Sequence, residues 1–489
     1  MNGLMSRSRP SLEKVGKFAL SYLVIPNLAF FVAGQFFYGV HPLLNLDYVV
    51  LGFLVQGIRK SVAVPLFVVL LVIDVIGMFS PLFFLDLGDA IIAGENILQL
   101  DNGFTLRIMA IVLFAATIVG LAAVTVSGSF GRLRASETLV ILSCVVLFFT
   151  GDVLNGSSKY SSFRAEEEVI LSYNFVGSGA YKIISEVREV RRVHDRTRSG
   201  IVSVRDGVEG ASSRLLTSID KLASSEIQNV VLVVVESLGV FKDGEVMDRL
   251  MSPLLGPKVQ DRYQVSRRQV PFAGSTTTAE FRELCGVAMS YYSEIDESEL
   301  KQCLPWSFQR LGFRTIAMHG FSRNMFARSE WYPLVGFEEM LFAEDMFSSG
   351  YSATCGGAFR GICDTEVARL LRDKIGLPSE GERRFVYWLT LNSHLPVAEE
   401  TVKDVEFDCG DLAVLYSYED VCLLTKVQYR ALSTVAELAS DPSLAATHFI
   451  VVGDHSPRFF GQAKRDLYVE GKVPVVELVP PLLENGNMP

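Results

Sequence analysis

Before residue 155 the 489-residue chain is a succession of apolar runs, and after it the pattern changes. The runs fall at about 18–39, 46–58, 62–85, 104–127 and 137–154. Most are long enough to cross a hydrocarbon core of ~30 Å as helices. The second is short and carries Asp47. The mean hydropathy of +0.30 comes from this half. The first run is too long for a cleavable signal peptide, and further runs follow it.

Basic residues set the count of spans. Arg59 and Lys60 separate the second and third runs, and Arg132 and Arg134 the fourth and fifth. Segment 40–45 lacks Lys and Arg, and 86–103 is acidic. The bias of Lys and Arg toward cytoplasmic loops then puts the N-terminus, 59–60 and 130–136 inside. Five spans carry everything after 155 to the outer side.

Cysteine usage points the same way. Cys144 lies in an apolar run, whereas Cys285, Cys303, Cys355, Cys363, Cys409 and Cys422 all lie in the polar part. An even set at short spacing suits an oxidising compartment. Pairing of neighbours, 285–303, 355–363 and 409–422, is the simplest of the 15 possible connectivities. No CxxC occurs, which argues against a zinc cluster. Asp74 and Arg107 are charges at membrane depth or its edge. Such residues are functional candidates by default, but pairing between helices explains them equally well and no role is assigned.

The expected organisation is a transmembrane domain over 1–154, a juxtamembrane amphipathic linker over 155–225 and an extracytoplasmic domain over 226–489. The net charge of −10, with no basic stripe, excludes an ordinary nucleic-acid binder. His41 and His194 have no partner in view, and His448 opens a strand and reads as structural.

In the outer domain short apolar runs alternate with helix-like segments. They are Val230–Val235, Thr315–Met318, Phe385–Leu391, Phe449–Val452 and Val473–Leu478. This alternation implies an α/β sandwich with a mainly parallel sheet. Ligands of such sheets bind beyond the carboxyl ends of the strands. There the first four runs end in Glu236, in His319, in Asn392 and His394, and in Asp454 and His455. One polar ending is noise; four from dispersed positions make a site.

Glu236, Asp454 and His455 offer two carboxylates and an imidazole, a set that fits Mn²⁺, Zn²⁺ or Mg²⁺. A threonine hydroxyl can complete it. FAGSTTTAEFRELCG, residues 272–286, places Thr276, Thr277 and Thr278 at a loop-to-helix junction, where backbone N–H groups favour an anion. Taken alone, such a hydroxyl reads first as a helix cap. A bound metal would lower its pKa and make it a nucleophile. His319 and His394 are candidates to bind phosphate oxygens or protonate a leaving alkoxide. Arg328 is a candidate phosphate fork, with a surface ion pair as its plainer reading.

The ordered strings VVVES, GSTTTAEF, HG…ARSEWY, NSHLP and GDH resemble the lipoteichoic acid synthases and periplasmic phosphoglycerol transferases and, more distantly, the phosphoethanolamine transferases. These belong to the alkaline phosphatase/sulfatase superfamily. The resemblance covers about 226–480 and the five-span layout. It implies a metal-bound threonine that takes a head group from a phospholipid donor and passes it to an envelope glycan or lipid. Glu236, Asp454 and His455 match metal ligands; Arg328, His319 and His394 match positions around the substrate phosphate. Thr276 matches the nucleophile best, while an alignment shifted toward the phosphoethanolamine transferases favours Thr278. Leu395 stands where the family has a second histidine. The Cys/Ser-x-P-x-R motif of true sulfatases is absent, the nearest string being CLPWS at Cys303.

The combined expectation is a multi-pass bacterial inner-membrane protein with a sulfatase-like α/β domain in the periplasm. It holds one divalent ion, Mn²⁺ ahead of Zn²⁺ or Mg²⁺, and moves phosphoglycerol from phosphatidylglycerol. The alternatives are a phosphoethanolamine transferase and a non-catalytic membrane receptor or scaffold.

Overall fold

The computed structural model describes residues 11–37, 42–54, 56, scattered positions between 62 and 120, 133–154, 176–178, 180, 210, 215, and 227–481 apart from 273, 288–299, 377–381 and 460–461. The chain divides into two compact units, Met1–Gly94 with Gly103–Arg198, and Glu95–Asn102 with Ser199–Pro489.

In the first unit a helix runs from Leu12 to Phe37, with one π-helical stretch at Ala19–Val24. Helices Leu46–Leu54 and Ala135–Leu154 accompany it. Phe18, Tyr22 and Ile141 are buried together, with Phe53 and Leu133 against them. Gly52 permits the contact, since a Cβ there would lie 2.7 Å from the Phe18 ring. Asp74 is buried and accepts hydrogen bonds from Asn45 Nδ2 at 2.9 Å and Tyr48 Oη at 2.7 Å. That network matches the pairing reading of this charge.

Among the described residues, Leu12–Val32 forms a helix long and apolar enough to cross a membrane, and Ala135–Phe148 is a shorter apolar helix. Within the run at 46–58, Leu46–Leu54 forms a helix among the described residues. Most of runs 62–85 and 104–127, with Arg107, His41, His194 and most of the linker, lies outside the described residues.

The second unit is built on a seven-stranded sheet. In chain order its strands are β1 (Asn229–Val235), β2 (Gln264–Pro271), β3 (Phe313–His319), β4 (Glu339–Leu341), β5 (Arg383–Leu389), β6 (Thr447–Gly453) and β7 (Lys472–Val479). Their order across the sheet is β2-β7-β6-β1-β5-β3-β4. The five strands from β6 to β4 are parallel, and β7 and β2 close one side antiparallel. The expected mainly parallel sheet is present, and all five expected strands are in it.

The reason lies in β1. NVVLVVV is buried at every position, as a central parallel strand covered on both faces must be. Val231, Val233 and Val235 face one core, packed by α1 (Gly244–Leu255), α5 (Asp364–Ile375) and α6 (Glu419–Ser440). Val230, Leu232 and Val234 face the other, packed by α2 (Thr276–Cys285), α3 (Leu304–Arg310) and α4 (Arg328–Val335). Strand β2 escaped the sequence reading because QVSRRQVP is a polar edge strand with one buried residue.

Three disulfides tie loops and helices of this unit: Cys285–Cys303, Cys355–Cys363 and Cys409–Cys422, the neighbour pairing expected.

Candidate active site

Strand register builds the site. Val235 of β1 pairs with Gly453 of β6, so the residues that follow, Glu236 and Asp454, leave the sheet side by side. On the other side Val234 pairs with Leu389 of β5, and Leu389 with His319 of β3. The carboxyl ends of four parallel strands therefore deliver Glu236, His319, the 390–394 turn and the Asp454–His455 pair to one edge.

Glu236, Asp454 and His455 are buried, and one ligand atom from each lies within 4.8 Å of the others. Thr276, the first residue of α2, reaches into this group. Its Oγ1 lies 3.2 Å from Glu236 Oε2, 3.0 Å from Asp454 Oδ2 and 3.3 Å from His455 Nε2. Thr278 is instead buried beneath the loop, with Oγ1 3.4 Å from Ser275 Oγ. Thr276 Oγ1 thus lies against the acidic group, while Thr278 Oγ1 is turned toward Ser275. Gly274 (φ +85°) makes the turn possible, because a Cβ there would lie 2.6 Å from Thr278 Oγ1.

The ligand side chains are fixed from behind. Asp454 Oδ1 accepts the backbone N–H of Ser237 at 2.7 Å and of His455 at 2.6 Å. Ser237 adopts φ 55° to do this and bonds its hydroxyl to Glu236 Oε1 at 2.9 Å. A non-glycine residue held there stores about 1–3 kcal/mol of strain, a common feature of functional sites. His455 Nδ1 donates to the Ser456 carbonyl at 3.0 Å. Its proton therefore sits on Nδ1, and Nε2 presents a lone pair to the cluster, as a metal-ligating imidazole requires.

The electrostatics are those of a cation site. Burial, then the adjacent Asp454 carboxylate, pushes Glu236 well above the usual carboxylate range. Burial also raises Asp454 and lowers His455 to about 3, so the imidazole is neutral. Two buried carboxylates face one another beside a neutral imidazole, with Arg282 and Arg458 acting on them electrostatically, and a divalent ion fits the donor set.

His319 and His394 differ from expectation in their protonation. His319 Nδ1 donates to the Leu389 carbonyl at 3.0 Å, and His394 Nδ1 to the Leu395 carbonyl at 2.7 Å. Burial lowers His319 well below its ordinary value and His394 to about 4. Both rings are neutral with Nε2 as an acceptor, so neither donates a proton from the free site. A bound phosphodiester anion would have to raise them first.

Arg328 is also a correction. It is 2% exposed, and its Nε and Nη2 donate to Glu280 Oε2 at 3.0 and 2.9 Å. Tyr332 and Tyr387 donate to the same carboxylate at 2.5 and 3.2 Å. Nε and Nη2 grip a protein carboxylate in a buried pair, where the plainer reading of the sequence put an ion pair at the surface. It still acts electrostatically on His319.

Two arginines were missed. Arg282, buried in α2, donates to the carbonyls of Asp454 at 3.1 Å and Gly453 at 2.9 Å, and pins the end of β6. Its place two turns after Thr276 on the same helix was the available signal. Arg458 donates Nη2 to the Gly274 carbonyl. It is drawn down to about 9 by burial, against the opposing charges of Asp454 and Glu236. It follows GDH on a loop with no periodicity to flag it. His448, as expected, is structural: Nε2 pairs with Glu477 at 3.0 Å.

Three solved structures are similar in shape. The lipoteichoic acid synthase LtaP of Listeria monocytogenes is 13% identical, with a TM-score of 0.38 over 55% of this chain and 72% of that one. The lipooligosaccharide phosphoethanolamine transferase EptA of Neisseria meningitidis, an integral membrane protein, is 17% identical, with a TM-score of 0.48 over 97% and 89%. The zinc complex of the periplasmic domain of EcEptC from Escherichia coli is 13% identical, with a TM-score of 0.37 over 53% and 74%. No curated protein sequence matches. A family model described as Sulfatase matches residues 228–474, from the start of β1 into β7, a span that holds every candidate site residue. The chain therefore belongs to the sulfatase family.

Proposed function

We propose that this chain is a membrane-anchored phosphotransferase that moves a phosphoglycerol head group from phosphatidylglycerol to an envelope glycan or lipid. The observation that carries the reading is the seat of Thr276 Oγ1, within 3.3 Å of all three candidate ligands. In that position a hydroxyl is a nucleophile, not a helix cap. Ser275 precedes the helix and makes no side-chain capping bond to it. A Thr in place of the Cys or Ser that formylglycine chemistry starts from speaks against sulfate-ester hydrolysis despite the family's name.

Glu236, Thr276, Asp454 and His455 would hold one divalent ion, Mn²⁺ in the first instance, with Zn²⁺ or Mg²⁺ as fits of the same donors. Bound there, it would lower the pKa of the threonine hydroxyl and offset charge on the phosphate. Attack forms the Thr276 Oγ–P bond and breaks the bond from phosphorus to the diacylglycerol oxygen, which takes up the proton that the threonine hydroxyl gives up. In the second half an acceptor oxygen forms the new P–O bond, the Thr276 Oγ–P bond breaks, and the acceptor's proton passes through a base to Thr276 Oγ. His394 and His319, neutral with Nε2 lone pairs, suit that second role. Arg328 acts as a fixed positive charge near His319 rather than as a clamp.

The proposed placement is a bacterial inner membrane crossed five times by residues 1–154, a linker over 155–225, and the 226–489 domain in the periplasm. Three disulfides support an oxidising compartment for that domain. They also favour a second reading, the phosphoethanolamine transferases, with phosphatidylethanolamine as donor. The test is to supply the metal-loaded protein with each labelled lipid in turn. Release of diacylglycerol and a labelled Thr276 peptide from phosphatidylglycerol supports the first reading, and the same products from phosphatidylethanolamine the second. Neither product with Mn²⁺, Zn²⁺ or Mg²⁺ overturns both.

A further inference from the structure

A short hairpin touches both histidine loops, and nothing above gives it a role. Thr354–Cys355 pairs antiparallel with Gly361–Ile362, and Cys355–Cys363 closes the loop. On one side the Ile362 N–H donates to the Gly320 carbonyl at 2.7 Å, one residue beyond His319. On the other, a Cβ on Gly357 would lie 2.3 Å from the Pro396 carbonyl, two residues beyond His394. The hairpin therefore lies backbone against backbone on each loop.

From its tip Phe359 lays its ring 4.0 Å, centroid to centroid, from the His394 imidazole, and meets Phe321 edge-on at 5.7 Å. Directly after the hairpin, Asp364 accepts the N–H groups of Leu391 at 3.0 Å and Asn392 at 2.9 Å. Asn392 Oδ1 accepts the Asp364 N–H at 2.7 Å in return. The turn carrying His394 is thus held at its start by Asp364, at its end by Gly357, and at the imidazole by Phe359.

We infer that Phe359, presented by the disulfide-closed hairpin, is the positioning residue that fixes the plane of the His394 imidazole. An imidazole bonded only through Nδ1 to a neighbouring carbonyl can still swing about that bond. An aromatic ring packed against the imidazole at a 48° tilt restricts the swing and holds Nε2 in one direction. Misplacement of a reacting group by about 1 Å can lower a rate about a hundredfold. The functional half of this inference rests on the transferase reading; the positional half does not.

The full chain with metal bound is compared with Phe359→Ala, Phe359→Leu and Phe359→Tyr. Phe359→Leu keeps apolar bulk but no ring, and Phe359→Tyr keeps the ring. In histidine-labelled protein the His394 Hε1 resonance, identified by its loss in His394→Asn, should carry a ring-current shift. That shift should vanish in the Ala and Leu variants, persist in the Tyr variant, and shrink in the double variant Cys355→Ser, Cys363→Ser. Turnover should fall about tenfold in Phe359→Leu with KM and metal content unchanged, and return in Phe359→Tyr. An unmoved His394 resonance in Phe359→Ala and Phe359→Leu overturns the inference, as does equal turnover for Leu and Tyr. If the wild-type protein transfers from neither lipid, the transferase reading falls while the resonance still decides what holds His394.

Discussion

Two buried charge clusters lie a few residues apart along α2, and they are opposites. Glu280 is met by Arg328 through two nitrogens and by the hydroxyls of Tyr332 and Tyr387. Every element of that cluster is answered inside the protein. Glu236 and Asp454 face each other with a neutral imidazole and a hydroxyl beside them, and Arg282 and Arg458 act on them electrostatically. Burying two carboxylates face to face is costly, and a divalent ion would offset that cost. The saturated cluster therefore reads as framework and the unsaturated one as the place where something positive must come. Glu280, after Ala279 in α2, joins α2 to α4 through Arg328 and Tyr332.

The contrast can be broken at several points. Thr276→Ala should remove transfer by a thousandfold or more, on the order seen when an activated nucleophile is lost, with the circular-dichroism spectrum and melting curve unchanged. Full activity would move the nucleophile elsewhere. Breaking the saturated cluster should act on the fold. Arg328→Met, which strands Glu280, should cost about 3–5 kcal/mol by denaturant titration, and a metal-loaded protein that unfolds no more easily would refute the framework role.

The unsaturated cluster should respond in the opposite sense. Glu236→Gln should lower the metal retained after dialysis yet stabilise the metal-free protein. The sign follows from linkage. Glu236 and Asp454 have raised folded-state values, so the stability they contribute is full below the unfolded carboxylate range near pH ~4 and is lost as the pH climbs through the folded values. The gap between metal-free variant and wild type should widen from about pH 4 to 7, in the variant's favour, by up to about 1.4 kcal/mol per pH unit. Buried His319, His394 and His455 contribute with the opposite sign, and His319 and His394 do so in variant and wild type alike. A gap that does not change with pH would mean the carboxylates are not in conflict. The smallest effect belongs to Thr277→Ala, which should leave turnover within about twofold, since it removes no contact with the cluster; a large loss would reopen the choice among the threonines.

How far the sequence foretold this follows from where the information lies. Central parallel strands are continuous apolar runs, so Val230–Val235 and Phe449–Val452 announced themselves, and with them the residues at their ends. Glu236, Asp454 and His455 were legible because a strand end is a fixed address. The Glu280–Arg328 pair was not, because it joins residues 48 apart through two helices, and no local pattern tells an arginine which anion it will meet. Arg458 sits on a loop, where side-chain direction has no period to read. The tautomers of His319 and His394 depend on which carbonyl faces Nδ1, and sequence does not encode that at all.

One consequence of the sheet order reaches into biogenesis. Ser237 and the Asp454 carboxylate that holds its amide are 217 residues apart, so β6 must be made and paired beside β1 before they meet. An emerging chain carries the first acid long before the last one arrives. The cluster is thus complete only once nearly all of the second unit has been made.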